Sequence, residues 1–223
     1  MDTDFDKEPF VMESFNRIKA DVEAIKGRNE TAVLANYVKD SLGSIGEVFT
    51  QRLSTVNWGK SSNIYSYIRS KDGYGGEAMV LAVPLDYKPS IVYALSFFEI
   101  MSQKQPSWLS RDILFLFYPE SDYSNAIREF LDAYYGVDGA GTPVGSLFGE
   151  DGRIYSRPGY LRQAYPLVIK DYAFNRVSIL SDGINGFMND LDFYDATRGT
   201  FDKNSFFKYD SGSTQYFRKN PYL

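Results

Sequence analysis

The chain opens on a period of three to four residues. Val11, Phe15, Ile18, Val22 and Ile25 form one apolar stripe, which predicts a helix that Gly27 ends. Leu34, Val38, Leu42, Ile45 and Phe49 repeat the pattern, so a second helix is expected, its later turns weakened by Gly43 and Gly46. The pattern then switches to alternating strands and helices. Residues 63–68 read as a strand, 71–76 as a glycine-rich turn, and the continuously apolar 78–83 as a strand buried on both faces. The short turn between these two strands predicts a hairpin. Lys88, Pro89 and Ser90 open a helix through Ile91, Leu95, Phe98 and Met101, closed by Pro106, and Ile113 to Tyr118 form another buried strand. Ser121 and Asp122 can cap a helix with Ile127, Phe130, Leu131 and Tyr134 on its core face, ended by Gly136. Residues 136–152 are rich in glycine and read as a surface loop. Residues 167–169 and 177–180 read as strands, and the polar, aromatic 196–223 as a tail or an extra edge element.

The expected architecture is α/β: a three-layer α/β/α sandwich with a mixed, mostly parallel sheet and the N-terminal helices packed on it. A single domain is expected over 1–223, with helices at 8–50, an α/β core at 60–195 and the tail at 196–223.

Composition narrows the chemistry. With 43% hydrophobic and 24% charged residues, the 223-residue chain is an ordinary folded protein. No apolar run approaches the ~18 residues of a membrane span. The acidic start lacks the pattern of a signal peptide, so the expectation is either a cytosolic protein or part of a longer one. The net charge of −5 and the lack of a basic stripe argue against nucleic acid. No cysteine is present, so these residues supply no disulfide, thiolate nucleophile or zinc–sulfur site. No histidine is present either, which removes the commonest general base and metal ligand. The glycines of 136–152 follow no phosphate-binding pattern, and no G-x-S-x-G occurs. Asp190, Asp192 and Asp195 lack calcium-loop spacing and suit a helix start. Asn29-Glu30-Thr31 is an N-glycosylation sequon, which makes Asn29 a candidate acceptor.

Several segments together resemble a known family. Asn63-Ile64-Tyr65, a polar glycine turn and Glu77-Ala78-Met79-Val80-Leu81-Ala82-Val83-Pro84 are similar to the Gaa-type subunit of the glycosylphosphatidylinositol (GPI) transamidase. So are the Trp108 to Phe115 stretch, Phe130-Leu131-Asp132-Ala133-Tyr134, and Gly183-Ile184-Asn185-Gly186 with Asn189 to Asp192. Phe187, Met188 and an added Asp190 depart from the family's pattern. The resemblance covers about 60–195 and, loosely, the N-terminal helices; the glycine-rich loop and the tail are expected to fall outside it.

The resemblance implies a luminal domain at the endoplasmic reticulum membrane, with membrane segments elsewhere in the protein. It also implies a fold like that of the di-zinc aminopeptidases. Those enzymes carry a His-x-Asp after one strand, a bridging Asp, a Glu-Glu pair, a third-strand Asp and a late His. Here Pro84 stands where the first His is expected, leaving Asp86; Glu120 matches the first Glu, but Ser121 replaces its neighbour; Asp171 matches the third-strand Asp. A few carboxylates do not replace a mixed imidazole and carboxylate cage, so no zinc site and no cofactor are expected. Asp86, Glu120 and Asp171 then read as solvated strand-end carboxylates, as a weak cation site, or as a relic cleft that holds peptide or glycan.

The leading expectation is a non-catalytic transamidase domain that scaffolds partners or positions substrate. Its implied partners are the other subunits, among them the cysteine-protease-like catalytic one, together with the C-terminal signal peptide and the GPI lipid. Two rivals stay open. One is a degenerate metallopeptidase-like domain that binds one metal and assists amide-bond exchange; the other is an unrelated α/β binding module.

Overall fold

The first apolar stripe forms α1 (Pro9–Ala24), which buries Ile18 and Val22 and half-buries Phe15 against Tyr93, ring centroids 5.0 Å apart. The computed structural model describes residues 9–53, 62–70, 77–104, 109–119, 123–135, 160–172, 176–179 and 206–209. Gly27, at φ +129°, turns the chain through a conformation that side chains disfavour. Then α2 (Glu30–Gly43) buries Leu34, Val38 and Leu42. The expected continuation of this helix to Phe49 does not occur. The amides of Ser44 and Gly46 close on the carbonyls of Asp40 and Leu42, Ile45 is exposed, and Phe49 begins a strand.

Five strands make one sheet: β1 (Phe49–Arg52), β2 (Ser62–Ile68), β3 (Glu77–Pro84), β4 (Asp112–Tyr118) and β5 (Tyr160–Pro166), in the order β1-β2-β4-β3-β5. β1 with β2 and β2 with β4 are antiparallel; β3 is parallel to both β4 and β5. The expected β2–β3 hairpin is therefore wrong. All seven residues of β4 are buried, and this most apolar strand inserts between the two. The third strand also lies earlier than expected: 160–166 pairs, and Leu167 to Ile169 run beyond its end.

α3 (Lys88–Lys104) and α4 (Tyr123–Tyr135) cover opposite faces. Phe98 of α3 meets Phe115 of β4 edge to face, at 5.1 Å and 86°. On the other face Phe130 and Tyr134 of α4 cluster with Tyr65, Val80, Leu114 and Leu116. Successive strand residues point to opposite faces, so β4 supplies both cores. α1 packs on α3, where Glu99 accepts from the Ser14 hydroxyl and the Arg17 guanidinium, each at 2.6 Å. The layers are thus helices, sheet, helix. Leu131, expected in the core, is exposed.

Buried amides fix α4 to the sheet. Asn63, fully buried, donates to Gln51 Oε1 (2.9 Å) and to the Ala126 carbonyl (2.8 Å), while Gln51 donates to the Glu129 carbonyl (2.9 Å). Where α4 ends and β5 begins, the rings of Tyr135 and Tyr160 lie 5.8 Å apart.

By its internal contacts the chain divides into Met1–Lys170, which holds all of this, and Asp171–Leu223. In the second unit β6 (Arg176–Ile179) pairs in parallel with β7 (Phe206–Tyr209), so the segment read as a tail or an extra edge element contributes a strand. Three of the five strand pairings among the described residues are parallel. No helix among these residues is long and apolar enough to cross a membrane. The turn at 71–76, Pro106, the Ser121-Asp122 cap, Gly136, the loop at 136–152 and the acidic group at 190–195 lie outside the described residues.

Candidate functional site at the strand ends

Strands β4, β3 and β5 run in parallel, so their carboxyl ends share one rim. The chain passes from β3 through α3 to β4 on one side, then through α4 to β5 on the other. That reversal puts the topological switch point between β3 and β5, where open α/β sheets place a ligand crevice.

Here the chain continues past β5 and stays bonded to β3 and α3. The Leu167 amide donates to the Ala82 carbonyl at 2.7 Å. Ser90, fully buried in the first turn of α3, accepts from the Ile169 amide (2.7 Å) and lies 3.2 Å from the Ile169 carbonyl, to which its hydroxyl donates. Lys170 places its ammonium 5.6 Å from the centre of the Tyr87 ring. On the β4 side the Leu85 amide donates to the Tyr118 carbonyl at 2.9 Å, and Pro84 and Leu85 are buried. Pro84 and Leu85 thus close the β3 end with apolar side chains.

The α1–α2 turn closes in from outside. Lys88, at the start of α3, donates to the Ile25 carbonyl (2.6 Å) and pairs with Glu30 (2.8 Å). Asp86 is exposed, and its Oδ1 accepts from the Thr31 hydroxyl at 3.5 Å, a long and weak bond. Asn29 is exposed at the N-cap of α2, and its side chain makes no capping bond.

Of the three carboxylates read from the sequence, Asp86 stands at this rim. Glu120 lies outside the described residues. Asp171 is exposed and opens the second unit, five residues past the end of β5 rather than directly after a strand. Among the described residues no group of three or more His, Cys, Asp or Glu side chains is placed to hold a metal. Sequence reasoning did not single out Ser90, Thr31 or Lys88 as residues that shape the rim. Ser90 left one signal, a polar residue in the first turn of an otherwise apolar helix.

Comparison with known proteins adds three findings. The family described as Gaa1-like, GPI transamidase component, matches residues 60–209. The match runs through the glycine-rich loop and past 195, both expected to fall outside the resemblance, and leaves out α1 and α2, which are loosely expected within it. No curated protein matches the chain. Among solved structures, a Zn-dependent exopeptidase from Parabacteroides distasonis is similar at 16% identity and TM-score 0.34, covering 50% of this chain and 47% of the other. The glutaminyl cyclase of Porphyromonas gingivalis is similar at 14% identity and TM-score 0.37, covering 50% and 48%. The chain spans about half the length of the solved structures it matches.

Proposed function

Because the chain belongs to the Gaa1-like family of GPI transamidase components, we propose that it supports the attachment of GPI anchors to proteins as a non-catalytic luminal domain at the endoplasmic reticulum membrane. The family match over 60–209 carries this reading. In it, other subunits bring the chemistry, among them a cysteine-protease-like one, and this domain scaffolds them or positions the signal peptide or the GPI lipid. Two properties of the chain support the non-catalytic part. Its 223 residues contain no Cys and no His, so a thiolate nucleophile or an imidazole ligand would come from outside these residues. At the switch point residues 167–169 are bonded to Ala82 and to Ser90, which favours substrate contact at the exposed rim. Asp86 at the rim is assigned to that contact, and Glu120 and Asp171 are further candidates read from the sequence.

The test is a reporter protein bearing a GPI signal, followed in cells depleted of the full-length protein. Unanchored precursor should accumulate and disappear when the wild-type protein returns. Normal anchoring in depleted cells would overturn the role. A variant carrying Asp86→Asn and Asp171→Asn should anchor more slowly, with the loss overcome by more precursor. A loss that no precursor level restores, together with stoichiometric metal in the wild-type protein, would assign catalysis to this domain.

A further inference from the structure

We infer that Asn29 carries an N-linked glycan at the turn between α1 and α2, beside the Asp86 rim. The inference rests on the luminal placement proposed above, because N-glycosylation acts on lumen-facing chain. In the transfer, Asn29 Nδ2 forms a bond to the anomeric carbon of a lipid-linked oligosaccharide pyrophosphate. The carbon–oxygen bond to the pyrophosphate breaks, the amide loses one proton, and the lipid pyrophosphate leaves.

Four observations converge on this residue. Asn29-Glu30-Thr31 is the sole N-x-[S/T] tripeptide in the 223 residues. Lys26, Gly27, Arg28 and Asn29 are consecutive exposed residues, so a bulky group meets no neighbouring wall. Asn29 occupies an N-cap position, where an Asn side chain ordinarily bonds to a backbone amide one turn on, yet it makes no such bond. Modifying its amide therefore breaks no hydrogen bond of the fold. Thr31, whose hydroxyl the acceptor motif requires, is itself exposed, and among the described residues its hydroxyl makes a long 3.5 Å contact to Asp86.

That contact also gives the glycan a consequence. It stands two residues from the side chain that touches Asp86, at the end of β3. It screens the rim from the α2 side and leaves approach to the carboxylate from the other directions. A partner that engages Asp86 thus meets it with one flank covered by sugar.

The experiment uses the full-length protein from its native membrane, digested with an endoglycosidase specific for N-linked glycans. Digestion should increase gel mobility by one step more for the wild-type protein than for Asn29→Gln or Thr31→Ala. Thr31→Ser, which keeps the hydroxyl, should retain the step. A control acceptor is built by combining Ser44→Asn and Gly46→Thr in the Asn29→Gln background. Both positions are exposed, and an added Cβ at Gly46 meets Phe98 only at 3.9 Å. Modification of the control but not of Asn29 would overturn the inference and leave the luminal reading standing. Modification of neither would overturn the luminal reading and the glycan with it.

Discussion

Lys88 and Glu30 face each other at 2.8 Å across the first turns of α3 and α2, and the two ends of this ion pair are not equivalent. The Lys88 side chain is 16% exposed and also serves the Ile25 carbonyl; the Glu30 side chain is 41% exposed. Replacing Lys88 by Met strips a backbone carbonyl of its donor and should cost about 1–3 kcal/mol. Replacing Glu30 by Gln removes only a screened attraction and should cost about 0.5 kcal/mol or less. Urea unfolding of the two variants measures the difference, and equal costs would mean that the Ile25 bond contributes nothing.

The orientation of α4 can be tested by two adjacent residues. Phe130 is fully buried against Tyr65, at 5.2 Å and nearly edge to face, while Leu131 is 36% exposed. Phe130→Ala should destabilise by about 3–5 kcal/mol, through lost burial and the cavity left behind. Leu131→Ala should cost about 1 kcal/mol. The reverse order, read from denaturation midpoints, would place the helix about a quarter turn from where it is described.

The period of three to four residues led to Phe130 and to Leu131 alike, and this shows what the chain reveals unaided. Long or strongly apolar segments were legible: α1, α3, β3 and β4 need no partner to declare themselves. β1 was absorbed into the stripe of α2, because Phe49 continues that spacing and Thr50, Gln51 and Arg52 carry no strand signature. β5 was missed for a related reason. Tyr-Leu-Arg-Gln-Ala-Tyr-Pro is the mixed sequence of a strand paired on one side among the described residues, and the apolar triplet after it drew the assignment forward. The hairpin failed because strand order depends on which strand must be covered on both sides, and short loops do not report that. At the rim, Asp86 was legible from its place after an apolar run. Thr31 and Ser90 were not, since each meets its partner across 55 and 79 residues of chain.

Asn63 offers a sharper test of the polar contacts under α4. Its amide donates to Gln51 and to Ala126 from a fully buried position. Asn63→Ala should cost about 1–3 kcal/mol, because two acceptors lose a donor. Asn63→Asp should cost more than Asn63→Ala, since it faces the same two oxygens with a buried negative charge. Thermal unfolding of both variants reads the order, and a milder Asp variant would contradict the described bonds.

Alkaline pH should weaken the fold through α1 and α2. Burial first, then the charge of Asp21, which accepts the phenol's hydrogen bond at 3.1 Å, raise the Tyr37 pKa above its usual 10.0. Tyr93 and Tyr135 are raised too, mainly by burial. A folded state that holds the phenolic proton more tightly than the unfolded chain has its full stability below pH 10 and loses it as pH rises through the raised values. Denaturation midpoints should therefore fall above pH 10 with a steeper limb in the wild-type protein than in Tyr37→Phe. Identical limbs would remove Tyr37 from the account.

The tilted ring pair of Tyr135 and Tyr160 sets a freedom as well as a contact. The last residue of α4 and the first of β5 hold their rings 5.8 Å apart, so the two ends of the connection between these elements lie close together. Doubling the length of such an excursion costs only about 0.6 kcal/mol of closure entropy. An insert placed between Tyr135 and Tyr160 is therefore expected to cost the sheet little, because both anchor points are already held together.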